Sequence, residues 1–401
     1  MRTMHWGRNV CGCVATALIT ACGGGVAPLY PSLDGPSTAV AAVRHARPDL
    51  AYEVIHTFGG SGGGTNPRAA LIHVDNAFYG TTLLGGAHDK GTVFGITSAG
   101  DETVLHSFGG PNDGVKPYAP LVNVKGALYG TTGYGGANNK GTVFVVLPFG
   151  GGEKVLHSFG SGGDGATPLS GLIDVKGTLY GTTAYGGING NGTVFAITTS
   201  GDEKVIYNFR GSGDGKVAFA GLVDVGGIFY STTSGGGAHG KGTIYSISTS
   251  GDETVLHSFG GPGDGENPYI AGLVEVKNTL YGTTASGGAN DAGTVFALPS
   301  FGKERVLHSF GGPGDGNSPR CGLIDVDGTL YGTTFAGGQG HGTVFSITTS
   351  GTETVLHSFA GNPDDGAAPY GALVHENGRL YGTTPGGGTH DEGTIYALTP
   401  P

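Results

Sequence analysis

One pattern governs this chain: Tyr-(Gly/Ser)-Thr-Thr, a Gly-Gly loop, then Gly-Thr-(Val/Ile)-(Phe/Tyr), repeated from end to end. The first element begins at Tyr79, Tyr129, Tyr180, Tyr230, Tyr281, Tyr331 and Tyr381. The second begins at Gly91, Gly141, Gly192, Gly242, Gly293, Gly342 and Gly393. A His-Ser-Phe-like tripeptide starts at His56, His106, His157, Tyr207, His257, His308 and His357, at intervals of 49 to 51 residues. Length alone, at 401 residues, would suggest two or three domains. The period overrides that expectation, because units this small cannot bury their own faces and must stack into one body.

Each unit divides into four short strands. Ala271 to Val276 is rich in β-branched residues and forms the first. Lys277-Asn278, replaced elsewhere by Lys-Gly, Asp-Gly or Asn-Gly, is a two-residue hairpin turn that needs positive φ. Thr279 to Thr284 is the second strand and Gly293 to Leu298 the third. A Ser-Gly-Asp-Glu turn in most copies leads to a fourth, such as Thr254 to Phe259. No run carries apolar residues at helical spacing without a glycine interrupting it. Four-stranded units of this length predict an all-β fold, a β-propeller, whereas the rungs of a β-solenoid are shorter and lack tight hairpins. The repeats open on a lone fourth strand, Glu53 to Phe58, and close on a third strand, Gly393 to Leu398. A seven-bladed ring is therefore expected to close by pairing an amino-terminal outer strand with three carboxy-terminal strands.

The consensus Gly-x-Leu-Tyr-Gly-Thr-Thr-x-x-Gly-Gly followed by Gly-Thr-Val-Phe resembles the GloVer tandem repeat of bacterial surface and secreted proteins, a choice-of-anchor family, over Tyr52 to Pro400. The resemblance implies a kelch-like propeller and an exported, anchored protein. It implies no reaction and supplies no catalytic residue.

Composition narrows the partners. The 84 glycines and 20 prolines would ordinarily suggest low complexity, but here they recur at fixed offsets beside Leu, Val, Tyr and Phe and so mark turns. A formal charge of −11 argues against nucleic acid, whose phosphates need a basic patch. It suits a neutral ligand, or an anionic one where a few arginines gather locally.

At the amino terminus Arg2 and Arg8 flank a positive start, and Val10 to Ala21 is apolar or small. That run is too short for a lasting transmembrane helix and predicts a signal peptide over residues 1–21. Ile19-Thr20-Ala21-Cys22 resembles a lipobox, which would make Cys22 the lipidated first residue of the mature protein. Two or three acyl chains would hold it firmly on a membrane, where one binds only marginally. Residues 22–50 then form a tether spanning roughly 30 Å, and residues 51–401 the propeller. Cys11 and Cys13 leave with the signal, so Cys321 has no disulfide partner. A monomer in the bacterial cell envelope is expected.

Few residues suggest chemistry. The fourth-strand histidines would sit on separate blades, on the order of 15 Å apart given the spacing of strands, too far to share one zinc ion. Asp113, Asp164, Asp214, Asp264, Asp315 and Asp365 each precede a glycine, and the first copy has Gly63-Gly64 instead. One aspartate per loop is too few for calcium and suits a turn. Gly160 to Gly165 matches a dinucleotide fingerprint by letter, without the helix that would hold a phosphate. No nucleophile elbow occurs, and neither a cofactor nor a metal is expected.

Positions that vary between copies are more informative. The residue after the loop proline, or its equivalent, is Arg68, Tyr118, Leu169, Phe219, Tyr269, Arg320 or Tyr370. It lies where the chain enters the innermost strand, at the rim of the central funnel. In a closed ring the blades of Arg320, Tyr370 and Arg68 are consecutive, so two guanidinium groups could take a carboxylate or sulfate while the Tyr370 ring stacks on a sugar. Loop residues His88, Asp89, His239, Asp291, His341, His390 and Asp391 could in principle do acid–base work, though loop polarity explains them more simply. The fourth copy diverges most, at Tyr207, Arg210, Ala218 and Ser231. The expectation is a non-catalytic binding propeller for a glycan or protein. A lyase or glycosidase on an acidic glycan, and an assembly scaffold, are the alternatives.

Overall fold

A computed structural model describes residues 51–148, 152–270 and 272–401. The expected signal peptide, Cys22 and the expected tether lie outside the described residues, as does Ala271 at the start of one expected strand.

The body is a seven-bladed propeller of antiparallel four-stranded blades. Blade 1 runs outward through Ile72–Val74, Ala77–Gly85, Thr92–Thr97 and Glu102–Ser107. Blade 7 takes Val374–Glu376, Arg379–Thr384 and Thr394–Leu398 from the carboxy terminus and its outer strand, Tyr52–Thr57, from the amino terminus. The ring closes in the phase that the repeat predicts. Strand limits differ slightly from the expected ones. The innermost strand is only three residues long, Val274–Val276 where Ala271 to Val276 was expected. The hairpin turn is as expected, with φ of 52° at Lys277 and 63° at Asn278.

Two features escape the four-strand reading. Six blades carry an additional two-residue ladder, such as Gly114–Val115 with Tyr134–Gly135, which ties the entry loop to the end of the second strand. Every outer strand also has a bulge beside its third-strand partner. In blade 1, Val93 faces His106 and Phe94 faces Val104, leaving Leu105 as the extra residue. A bulge re-aims the side chain beside it.

The core lies between blades. Seven apolar clusters occupy the seven seams, each built from two neighbouring blades. At each seam the aromatic residue after one outer strand meets the aromatic of Gly-Thr-Val-Phe on the next blade. Ring centroids are 5.3 Å apart for Phe58–Phe94, 5.0 Å for Phe108–Phe144 and 5.1 Å for Phe359–Tyr396. Such edge contacts contribute about 0.5–1.5 kcal/mol each beyond the area they bury. The glycine of Tyr-Gly-Thr-Thr makes room for this packing: a Cβ on Gly332 would stand 2.7 Å from both Leu323 and Phe345.

Both threonines are buried, and each has its own task. The second bonds across its own blade, as Thr82 Oγ1 does with Thr92 Oγ1 at 2.8 Å. The first reaches the next blade. Thr81, Thr131, Thr182, Thr283 and Thr383 donate to the carbonyls of Ala119, Ser170, Ala220, Cys321 and Ala69 at 2.8–3.2 Å. The bond from Thr383 to Ala69 spans the closing seam.

Gly332→Ala is expected to lower stability by about 1–3 kcal/mol through overpacking. Phe58→Ala, at the closing seam, should lower it by about 3–5 kcal/mol. Denaturant unfolding of the two variants beside the parent chain checks both; a Phe58→Ala loss below that of Gly332→Ala would show that the closing seam carries little.

Candidate ligand-binding site

Each rim residue is clamped by the blade before it. The residue two positions earlier sits in the left-handed region in all seven copies: Asn66, Lys116, Thr167, Val217, Asn267, Ser318 and Ala368 have φ between 53° and 60°. For β-branched Val217 and Thr167 this conformation is a real outlier. It persists because the backbone is bonded on both sides. Lys116 N donates to Lys90 O of the preceding blade at 2.9 Å, and Lys116 O accepts from Gly133 N at 3.0 Å. The following proline packs on the Gly-Thr-Val-Phe glycine of the preceding blade, since a Cβ on Gly91 would lie 2.7 Å from Pro117 Cδ. One residue beyond the rim position comes the carbonyl that the threonine of the preceding blade holds. Strain fixed in this way commonly marks a functional surface.

Two adjoining cavities lie at the rim. The outer one, about 230 Å³, is walled by Arg68, Tyr118, Leu169, Phe219, Tyr269 and Tyr370 together with Thr167, Ile270, Tyr134 and Tyr185. The deeper one, about 240 Å³, shares Arg68, Tyr118, Ile270 and Tyr370 and is otherwise walled mainly by glycine and aliphatic side chains, with Cys321 among them. Six of the seven rim positions therefore converge on the outer cavity, and Arg320 does not line it.

The arginines and Tyr370 are arranged differently from expectation. Tyr370 is only 4% exposed, so its face cannot meet a sugar. Instead it underlies both cations: Arg68 Cζ is 5.1 Å and Arg320 Cζ 5.6 Å from its ring centre. Arg320 stacks most closely on Phe335, at 3.8 Å, which draws it away from the cavity wall. Arg68 is braced by Asn66, whose Oδ1 accepts from Arg68 Nε at 2.7 Å. Phe219, Tyr269 and Tyr370 continue as an aromatic chain, with centroids 5.0 and 6.2 Å apart. The exposed rings are Tyr134 and Tyr185, at 42% and 47%. Both lie two residues beyond the threonine pair, where varied residues stand in other copies; that variation was the available signal, and sequence reasoning passed over it.

Among the described residues, neither cavity is lined by a histidine or carboxylate. Burial pushes the Tyr370 hydroxyl well above its ordinary range, aided by Tyr269, which is the wrong direction for a general base. The loop groups lie elsewhere. Asp89, Asp291 and Asp391 accept from Gly85, Gly287 and Gly387 N at 2.8–3.0 Å, as turn caps. His88, His239 and His390 cover Gly109, Gly260 and Gly59, where a Cβ would lie 2.6–3.1 Å from them.

The outer-strand histidines meet carboxylates in the seams. His106, His157, His257, His308 and His357 bond through Nε2 to Asp113, Asp164, Asp264, Asp315 and Asp365 at 2.9–3.1 Å. A glutamate from the next blade joins four of these pairs: Glu153, Glu203 and Glu353 at the start of its outer strand, and Glu304 just before it. Burial, and then the adjacent aspartates, push these glutamates up to about 7. Comparing histidine with histidine and loop with loop could not reveal this grouping, since its third member comes from the following repeat. Among the described residues, Cys321 is a free, buried thiol.

Among solved structures, the BP39L lectin from Burkholderia pseudomallei superposes with a TM-score of 0.61 at 10% identity, over 84% of this chain and 97% of the lectin. Puromycin hydrolase superposes with a TM-score of 0.50 at 12% identity, over 79% of this chain but only 50% of the hydrolase. Identities this low carry the fold alone. No curated protein matches the chain at a significant level. The Gloeobacter/Verrucomicrobia repeat model matches residues 34–242 and 220–401. With both the repeat and its propeller in view, the chain belongs to the Gloeobacter/Verrucomicrobia repeat family.

Proposed function

We propose that this protein is a surface-anchored, non-catalytic binding propeller whose rim cavity takes an acidic glycan. The observation that carries the reading is the wall of the outer cavity: a braced guanidinium at Arg68 amid tyrosines and a phenylalanine, with no carboxylate or imidazole among the described residues. Aromatic faces suit the apolar side of a sugar ring, and an arginine suits a carboxylate or sulfate. In a chain of charge −11, an anionic ligand needs such a local cation. The lectin that shares the fold is in keeping with this reading without carrying it. Hydrolysis or elimination would need a base and an acid within reach of the substrate; among the described residues the cavity walls offer neither a carboxylate nor an imidazole, and burial raises the hydroxyls of Tyr118 and Tyr370 and the thiol of Cys321.

Screening the full-length chain against neutral and acidic glycans tests the site. Arg68→Ala should weaken an acidic ligand about 10- to 100-fold, since a charge-assisted contact is worth about 1.5–3 kcal/mol. Arg320→Ala, behind Tyr370, should weaken it less, and Tyr185→Ala should weaken acidic and neutral ligands alike. Cleavage of a bound glycan would promote the enzyme reading, and binding indifferent to Arg68 would remove the rim from consideration.

The anchor belongs to the same proposal. Acylation at Cys22 would hold the protein at the cell envelope and residues 23–50 would set the propeller off the membrane. Cys22→Ser should move the protein from the membrane fraction to the soluble fraction; retention in the membrane would refute lipidation as the anchor.

A further inference from the structure

We propose that four of the seven blade seams, those of His106, His157, His257 and His308, each bind one divalent transition metal ion of the zinc type. In each, an imidazole nitrogen and two carboxylate oxygens lie within 4.8 Å of one another: His106 with Asp113 and Glu153, His157 with Asp164 and Glu203, His257 with Asp264 and Glu304, His308 with Asp315 and Glu353. His257 Nε2 is 3.0 Å from Asp264 Oδ2 and 3.8 Å from Glu304 Oε2. Tetrahedral zinc with bonds of ~2.1 Å separates its ligands by ~3.4 Å, which lies between the two distances of the His257 set, so rearrangement of the side chains alone would admit the ion. The outer-strand bulge supplies the aim, turning the histidine into the seam.

The unmet valence of the glutamate is a second, independent observation. The Glu304 side chain is only 7% exposed, and its Oε1 is buried without a hydrogen-bond partner. Glu153 and Glu353 show the same orphaned oxygen, and so does Glu203. Glu102 and Glu253 share it too, so the orphan marks the seam, and the added histidine and aspartate distinguish the four complete sets. Two carboxylates and one neutral imidazole form a donor set that a divalent cation would satisfy and neutralise. The histidine, 23% exposed in the His257 set, leaves an edge through which an ion and a coordinating water could enter.

The other three seams each lack one ligand. Beside His56 and Glu102 the aspartate position is Gly63. Tyr207 replaces histidine beside Asp214 and Glu253 and donates to both, at 2.9 and 3.2 Å. Tyr52 replaces glutamate beside His357 and bonds to Asp365. In the two tyrosine seams a phenol proton occupies the place that the ion would take.

The full-length chain, freed of metal with a chelator and titrated with zinc by calorimetry and equilibrium dialysis, tests the proposal. The expected capacity is four ions, falling to three in Glu304→Gln and to none in the fourfold Glu→Gln variant at positions 153, 203, 304 and 353. Tyr207→His should raise it to five. Circular dichroism establishes that each variant is folded; if the fourfold variant is not, the Tyr207→His count decides. Absence of zinc uptake, uptake unchanged by Glu304→Gln, or no gain from Tyr207→His would overturn the assignment.

Discussion

In five of the seven blades the first threonine of the Tyr-(Gly/Ser)-Thr-Thr element ties one blade to the next and so helps to hold the ring together. Neighbouring blades share no strand ladder, and besides one backbone bond per seam, such as Lys116 N to Lys90 O, other contacts must help fix their angle and height. The buried hydroxyl that crosses to the carbonyl after the next rim residue does so with direction, which apolar packing alone lacks. Leaving that carbonyl unpaired in the interior would cost about 1–3 kcal/mol at each seam. The aromatic pair further out supplies the burial and the threonine supplies the alignment. The proline on the Gly-Thr-Val-Phe glycine closes the gap between them.

This division of labour explains which positions are free to vary. Residues 68, 118, 169, 219, 269, 320 and 370 each follow a backbone point that the preceding blade holds, while six of their side chains line the rim cavity and Arg320 stacks beside it. The backbone is fixed and the chemistry is left open. Seven such positions around one axis form a small combinatorial surface. Here it holds two arginines, three tyrosines, a phenylalanine and a leucine.

The architecture was legible because period, hairpin turns and strand phase are local properties of the chain. Ring closure followed from the lone strand before the first full unit. The additional two-residue ladders and the bulges were not legible, since neither leaves a residue type of its own. At the site, the rim positions could be found by comparing copies, but not that Tyr370 would lie beneath two guanidinium groups. That depends on Phe335 drawing Arg320 aside, a contact between side chains on two separate connecting segments. The seam clusters were hidden for a similar reason: the His-Asp spacing is visible within one copy, while the glutamate that completes the group belongs to the next.

The closing blade has a consequence for how the chain reaches its native state. Arg379 and Glu53 pair across 326 residues, while other neighbouring blades are one unit of about 50 residues apart. Loop entropy rises only logarithmically, so this longer closure costs about 1.7 kcal/mol more than an ordinary one, less than the Phe58–Phe94 seam returns. Timing is another matter. Tyr52–Thr57 is the first described strand to be synthesised, and its partner, Thr394–Leu398, comes more than 300 residues later. Until then six blades can stack while the seventh stays incomplete, with the Phe58 face and the unpaired edge of Thr394–Leu398 both open. The ring thus has a latch, and a chain that loses either end should form a stacked arc whose free edges invite another molecule to complete them.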